Sequence, residues 1–522
     1  MAGDGDGDAG RHGGGGGGRD VDRCHFLVAA YGHQGHLTPA RALARRLARG
    51  GARVTLSVAA SAHARMFPSP SPGGSSLDDV ESEEASDGLI AYAPYSDGFG
   101  FGSRPRTAEE RARRRRESAD SLSRVLARLR AAGRPVTCVV SAMLLPAADA
   151  AAVHGVPLAV FWNQSAAALA AYYHYFHRGH DDERGVVAAP DPAREEVWLL
   201  PGMPALRVPR DLPSFIVDAT GGGDSDKAAG AVDTMRALVE VVGRGKPTVL
   251  VNTLDALEVE ADALQAMRQH QRLDVVAVGA VAVPMVVPLR RQRTDAAAGG
   301  GEEDRIHLFE RDRKGYMEWL DARPGSSVVY VSFGSMLGYD KRQVEEMLRG
   351  LRGSGRPYLW VVPKDGRDEE VERCLTDNGG GGGGAAEEQG MVLEWCDQIE
   401  VLSHPSTGCF VTHCGWNSTL EAVATGVPVV AVPYWSDQPL NARLVEEWGV
   451  GVRAERDATS GLLVGAELAS CVEAVMGDGD EARSIHERVR DLKDQVRREV
   501  VHESGRVDSR LKNLIAAMQN RK

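Results

Sequence analysis

The chain has 522 residues, with Lys+Arg 61 against Asp+Glu 73, a net charge of −12 at pH 7, 43% hydrophobic and 26% charged residues. That composition describes a globular protein with ample chain for large cores, and the acidic balance excludes general nucleic-acid binding, which needs a basic footprint. The seven cysteines are scattered and lack CxxC spacing, which excludes a zinc ribbon or disulfide framework and fits reduced thiols.

Residues 1–20 carry ten glycines and no apolar run, so they read as a disordered Gly-rich tail rather than a signal peptide. Next, Cys24–Tyr31 (CHFLVAAY) reads as a buried strand. A turn at Gly32–Gly35 leads into a helix with Leu37, Ala40, Leu43 and Leu47 on one face. Val54–Val58, Val136–Ser141, Pro157–Phe161, Thr248–Asn252 and Val275–Val278 continue as strands, separated by helical stretches. The basic run Arg111–Arg116 follows Glu109 and Glu110 and reads as a solvated helix face. Strands alternating with helices imply βαβ units and parallel sheets.

From 284 to 304 prolines and glycines mark an interdomain linker. The alternation then restarts with strands at Ser327–Ser332, Tyr358–Val362, Gly408–Thr412 and Val427–Val432, and ends in a charged helix over Arg483–Gln519. The longest apolar stretch, Ala277–Leu289, is too short to span a membrane. The expected division is an N-terminal domain over 21–283, a C-terminal domain over 305–490, and a helical segment over 491–522 that packs back on the first domain.

The strongest local signal is Thr412-His413-Cys414-Gly415-Trp416-Asn417-Ser418, where a strand ends and a helix begins. Unpaired amides at a helix start form an anion site, and ligands of open α/β sheets lie beyond the carboxyl ends of strands. A phosphate or pyrophosphate is therefore a sensible occupant.

From Trp395 to Gln438 the chain reads WCDQIEVLSHPSTGCFVTHCGWNSTLEAVATGVPVVAVPYWSDQ. This run resembles the signature box of plant secondary-product UDP-glycosyltransferases nearly position for position. HQGHLTP near the N-terminus and VVYVSFGS at Val328–Ser335 resemble the same family in the right order. The resemblance implies an α/β GT-B fold, two Rossmann-like doubly wound domains with a cleft between them. It also implies inverting transfer from UDP-glucose, a co-substrate, with no metal and no cofactor. Trp395 then stacks on uracil, Gln398 contacts the nucleoside, and Glu421 accepts both ribose hydroxyls. His413, Asn417, Ser418 and Ser335 bind the pyrophosphate, while Trp416, Asp437 and Gln438 read the sugar. His36 is the implied catalytic base, with His33 a weaker competitor.

Many members of that family pair the histidine with an aspartate, and the corresponding slot here is Ala142. Asp149 is the nearest carboxylate downstream. An unassisted imidazole suits an acceptor that arrives ionised, so carboxylates or acidic phenols are the expected acceptors; an acid bonded to His36 would remove that basis. Tyr172, Tyr173 and Phe215 are placed where the family lines its acceptor pocket. Pro213-Ser214-Phe215-Ile216 resembles a segment of the branch with anthocyanin 5-O-glucosyltransferases, crocetin glucosyltransferases and auxin-ester-forming enzymes. The expected protein is a cytoplasmic monomer that binds UDP-glucose and a small hydrophobic acceptor, a flavonoid, other phenolic or carboxylate hormone such as auxin or abscisic acid. The alternatives are a nucleotide-sugar-binding protein without turnover and a sugar-nucleotide epimerase. Asn163-Gln164-Ser165 and Asn417-Ser418-Thr419 match the glycosylation pattern, which carries no function without a secretory signal.

Overall fold

The computed structural model describes residues 24–68, 85–100, 107–177, 194–219, 226–280, 315–334, 340–378 and 389–519, with Ser103, Pro105, Pro190, Asp191 and Gly338. The Gly-rich tail and the linker over 284–304 lie outside the described residues, as does Ser335.

In chain order the first half supplies β1 (His25–Ala30), β2 (Arg53–Ser57), β3 (Ala85–Ser86), β4 (Ala91–Tyr92), β5 (Cys138–Ala142) and β6 (Leu158–Trp162). It continues with β7 (Glu196–Trp198), β8 (Leu206–Val208), β9 (Thr248–Val251) and β10 (Val275–Ala277). Eight of these form one sheet in the order β10-β9-β6-β5-β1-β2-β4-β3, parallel except for β3. β7 and β8 form a separate antiparallel pair. The second half supplies β11 (Val328–Ser332), β12 (Tyr358–Val361), β13 (Gly390–Leu393), β14 (Thr407–Thr412), β15 (Val429–Ala431) and β16 (Gly451–Arg453). These make a parallel sheet in the order β13-β12-β11-β14-β15-β16.

β1, β11 and β14 are apolar throughout or nearly so, because helices cover both faces of each sheet and every residue of these strands is buried. The strand orders reverse direction between β1 and β5 in the first sheet and between β11 and β14 in the second. Crevices at the carboxyl ends of such reversal points are the natural ligand sites of doubly wound sheets. Ala30 pairs in register with Ala142, and Ser332 with Thr412, so each crevice opens directly beyond those residues.

One apolar cluster runs through both domains, joining Trp162, Tyr172 and Val251 of the first to Trp416, Leu420 and Trp448 of the second. The charged C-terminal segment is a single helix, Asp480–Gln519. Ile485 packs in the core of the second domain, whereas Leu511, Leu514, Ile515 and Met518 pack with Leu43 and Leu47 of the first. Arg111–Arg116 lie on the helix Ala108–Ala131, where Arg114 pairs with Asp97 and Arg115 with Asp149.

Strand positions shift by one or two residues from those expected. The substantive difference is at Gly32–Gly35. The helix there starts at Gln34, so His36 sits in the first helical turn rather than in a loop. The β7–β8 pair and the antiparallel β3 also differ from the expected pattern, being too short to carry a periodicity.

Candidate active site

The first crevice is built by the turn after β1. His33 ends the strand connection, and its carbonyl accepts from His36 N at 3.0 Å and Leu37 N at 2.8 Å, which winds the first turn of Gln34–Arg49. His36 Nδ1 lies 3.0 Å from Asn163 Nδ2 at the end of β6, and the Tyr31 ring stands edge-on at 5.4 Å. Burial and the field of His33 lower the His36 pKa from 6.5 to about 4, against a smaller upward pull from the Ala142 carbonyl. The ring is therefore neutral near pH 7. Asp149 is held elsewhere, bidentate to Arg115 at 2.8 and 3.0 Å. Among the described residues no carboxylate is bonded to His36, so the basis for expecting an ionised acceptor stands.

The second crevice follows β14. Cys414 adopts a left-handed backbone (φ +60°), which swings the chain from the strand into the helix Trp416–Thr425. His413 lies against two glycines. A Cβ on Gly334 would come within 3.1 Å of its ring and one on Gly415 within 2.6 Å, so both positions must lack a side chain. Burial lowers the His413 pKa to about 4, partly countered by the Ser332 carbonyl. The His413 ring is therefore neutral near pH 7 in the unliganded structure.

The helix begins at Gly415 with no side-chain cap. Its first amides thus point toward the crevice and carry the positive end of the helix dipole. Asn417 reaches across the cleft, its Nδ2 donating to Gly35 O at 3.0 Å and its Oδ1 accepting from Asn252 Nδ2 at 3.1 Å. Gln398 Nε2 donates to Glu421 Oε2 at 2.5 Å and to Ser418 Oγ at 3.1 Å, while Tyr330 donates to Gln398 Oε1 at 3.2 Å. The Gln398 amide thereby orients the Glu421 carboxylate. Burial pushes the Glu421 pKa up to about 7. Trp395 is half-buried three residues before Gln398.

Trp416 differs from its expected role. Its indole is buried and donates to Asn252 O at 2.6 Å, so the side chain joins the domains, and the backbone N–H is what it can offer a sugar. Gln438 Oε1 accepts from the amides of Tyr434 and Trp435 at 2.9 and 2.8 Å, holding the turn before it. Asp437 is buried, bonded by Asn441 Nδ2 at 2.8 Å, with its pKa pushed up to about 6.

Tyr172 is fully buried among Trp162, Phe176 and Phe215, at ring separations of 6.1 to 6.2 Å. Phe215 in turn meets Trp435 of the other domain edge-on at 5.1 Å. Tyr173 is buried behind them against His177 at 4.7 Å. The aromatic wall thus has Phe215 and the partly exposed Trp435 at its rim.

Asn163-Gln164-Ser165, read from sequence only as an idle glycosylation pattern, is a working part of this site. Asn163 meets His36, Gln164 Nε2 donates to Ser436 Oγ at 3.1 Å, and Ser165 Oγ donates to Asn441 Oδ1 at 3.0 Å. Ser214 and Ser436 add a reciprocal pair across the cleft at 2.8 and 2.9 Å. The signal in the sequence was position: three polar residues between an apolar strand and an Ala-rich helix, at the carboxyl edge of a sheet. Among the described residues, no three His, Cys, Asp or Glu side chains are grouped to hold a metal ion, and no helix is long and apolar enough to cross a membrane.

Two doubly wound domains with reversal-point crevices facing each other, each leading into a helix with no side-chain cap, define a GT-B glycosyltransferase architecture. Comparison with known proteins agrees. A family model described as UDP-glucoronosyl and UDP-glucosyl transferase matches residues 312–490. The chain is 37% identical to crocetin glucosyltransferase, chloroplastic, of Gardenia jasminoides, covering 95% of this chain and 97% of that one. It is 36% identical to phloretin 4'-O-glucosyltransferase of Malus domestica, covering 93% and 96%. The solved structure of Os79 from O. sativa in complex with UDP superposes with a TM-score of 0.73 at 29% identity, covering 94% of this chain and all of that one. The chain belongs to the UDP-glucoronosyl and UDP-glucosyl transferase family and is a UDP-glycosyltransferase.

Proposed function

We propose that this enzyme moves glucose from UDP-glucose to an oxygen of a small plant metabolite, with inversion and without a metal, and that carboxylic acids and acidic phenols are its preferred acceptors. The open helix start at Trp416–Ser418, with neutral His413 beside it, receives the diphosphate and stabilises the charge that grows on it as the sugar leaves. Glu421, oriented by Gln398, accepts the ribose hydroxyls, and Trp395 stacks on uracil. Asp437, Gln438 and the Trp416 amide face the sugar. Relatives named for glucosyl transfer to crocetin and phloretin support glucose as the sugar and a small metabolite as acceptor. The acceptor lies against Phe215 and Trp435 in the first crevice, its oxygen beside His36.

In the reaction the acceptor oxygen attacks the anomeric carbon from the face opposite UDP. The carbon–oxygen bond to the diphosphate breaks, and UDP leaves with the electron pair. A hydroxyl acceptor must also surrender a proton, and the imidazole of His36 is the group to take it.

The observation that carries the acceptor preference is the environment of His36. With its pKa lowered to about 4, it holds a proton poorly. A phenol near ~10 gains little from so weak a base, whereas a carboxylic acid near ~4 arrives ionised at neutral pH. The enzyme works as a monomer in the cytosol on this reading. The test is incubation with UDP-glucose and a panel of flavonoids, arylacetic acids and aliphatic alcohols, with products read by mass spectrometry. Alkali-labile glucose esters, or glucosides of acidic phenols, are expected. Turnover confined to aliphatic alcohols would overturn the preference, and UDP release that ignores the acceptor would overturn the transferase reading.

A further inference from the structure

Asn163 Nδ2 has two neighbours, His36 Nδ1 at 3.0 Å and Gly35 O at 3.4 Å. A carbonyl oxygen only accepts, so the amide presents its NH₂ to this side. Turning it over would set Oδ1 against the Gly35 oxygen. With the NH₂ facing it, Nδ1 must offer its lone pair, and a neutral imidazole with a bare Nδ1 carries its proton on Nε2. The neighbouring titratable groups are His33, just before the helix, and Tyr31, just after β1. The groups that reach the ring from other elements are neutral: the Asn163 amide after β6 faces Nδ1, and the Ala142 carbonyl of β5, which only accepts, calls for a ring N–H and, with Nδ1 bare, shares the Nε2–H with the acceptor oxygen.

We infer that Asn163 is a positioning residue that holds His36 in the Nε2–H form, so that His36 donates a hydrogen bond to an acceptor oxygen that is already ionised instead of deprotonating a hydroxyl. This deepens the proposed function and rests on it. With a carboxylate acceptor the balance is complete: its oxygen forms the bond to the anomeric carbon, UDP departs with the electron pair, and no proton moves. His36 Nε2–H selects the negative oxygen and orients it. A hydroxyl acceptor requires a bare Nε2, and hence an Asn163 amide turned over against Gly35 O. The amide thus makes the alcohol route the unfavoured one. The same tripeptide links this selection to the sugar side, because Gln164 and Ser165 bond Ser436 and Asn441 on either side of Asp437.

An aspartate at 163 accepts only, so it must invert the tautomer and favour the charged ring. The experiment compares wild type with Asn163→Asp and Asn163→Ser, using an arylacetic acid, 4-nitrophenol, an unactivated phenol and a primary alcohol, each across pH 5–9. In Asn163→Asp, kcat for the unactivated phenol and the alcohol is expected to rise roughly tenfold or more relative to the arylacetic acid, less than the roughly 10²–10⁴-fold that a well-placed base supplies. The acidic limb of its pH profile should move up toward the ordinary histidine range, while KM for UDP-glucose stays unchanged. Asn163→Ser should lower kcat on the acid without that reversal.

Two-bond ¹⁵N–¹H spectra of histidine-labelled protein, with His36 assigned through His36→Gln, read the tautomer without any turnover. Nε2–H is expected in wild type and Nδ1–H in Asn163→Asp. A wild-type Nδ1–H signal, or an unchanged acceptor ranking and pH profile in a folded Asn163→Asp, would overturn the inference. A wild type that turns over no acceptor sinks the transferase reading instead, and the spectra still decide the role of Asn163.

Discussion

Two of the helix starts at the cleft, one from each domain, are finished in opposite ways. In the first domain, Ala166–Phe176 begins fully buried. Glu260 accepts from the amides of Ala166 and Ala167 at 2.6 and 3.0 Å, and Ser165 Oγ from Ala168 N at 3.2 Å. In the second, Trp416–Thr425 begins at a glycine with no side-chain cap. One terminus is closed by the protein's own carboxylate, and the other is left for an anion from outside. The comparison teaches that the same local electrostatics serves structure in one domain and ligand capture in the other.

The largest expected effect comes from closing the open terminus. Ser418→Asp sets a carboxylate where the diphosphate is proposed to bind, and like-charge apposition should cut UDP affinity by roughly 10²-fold or more, against a small loss for Ser418→Ala. Calorimetric titration with UDP reads this; near-equal affinities would break the comparison. Opening the closed terminus should act on stability instead. Glu260→Ala leaves two buried amides without an acceptor and is expected to cost about 1–3 kcal/mol in denaturant unfolding, with Glu260→Gln milder. If Glu260→Ala unfolds like wild type, the carboxylate is no cap.

Titration sharpens the contrast more gently. Burial pushes the Glu260 pKa up to about 7 from 4.5, and Glu421 likewise. The folded state then holds these protons more tightly than the unfolded one. The associated stability is complete below about pH 4.5 and is lost as pH rises through 7. Melting temperature of the ligand-free protein should therefore fall from pH 5 to 7.5, with a shallower slope in Glu260→Gln. UDP affinity should move the other way, rising several-fold across pH 6–8 as Glu421 ionises to accept the ribose hydroxyls, and Glu421→Gln should flatten it. The smallest effect belongs to the rim: Trp435→Ala should raise acceptor KM a few-fold and leave UDP affinity untouched, in steady-state kinetics with each substrate varied in turn.

The fold was legible because buried parallel strands announce themselves as apolar runs. The second crevice was legible because most of the side chains that line it lie within one short stretch of chain, Trp395–Gln438. The first crevice was not, since its groups meet only through the sheet order. Asn163 reaches His36 because β6 lies beside β5 and β5 beside β1, across 127 positions of sequence. The place of the Trp416 indole was hidden for a related reason: nothing local says that it faces Asn252 of the other domain. Glu260 carries no motif, since a carboxylate that caps someone else's helix looks like any surface acid until burial is known.

The helix Asp480–Gln519 has a consequence for how the protein is made. Leu511, Leu514, Ile515 and Met518 belong to the core that also holds Leu37, Leu43 and Leu47, and the end of Ile515 sits 3.0 Å from where a Cβ on Gly50 would stand. These residues follow the second domain in the chain, yet they pack in the core of the first. The apolar face of Gln34–Arg49 packs on its own sheet at Phe26, Val28, Val54 and Leu56, and only the edge of that core near Gly50 stays open until the C-terminal helix arrives; exposed apolar surface of this kind is where nascent chains aggregate or recruit chaperones. The core of the first domain is thus closed by residues that follow the whole of the second.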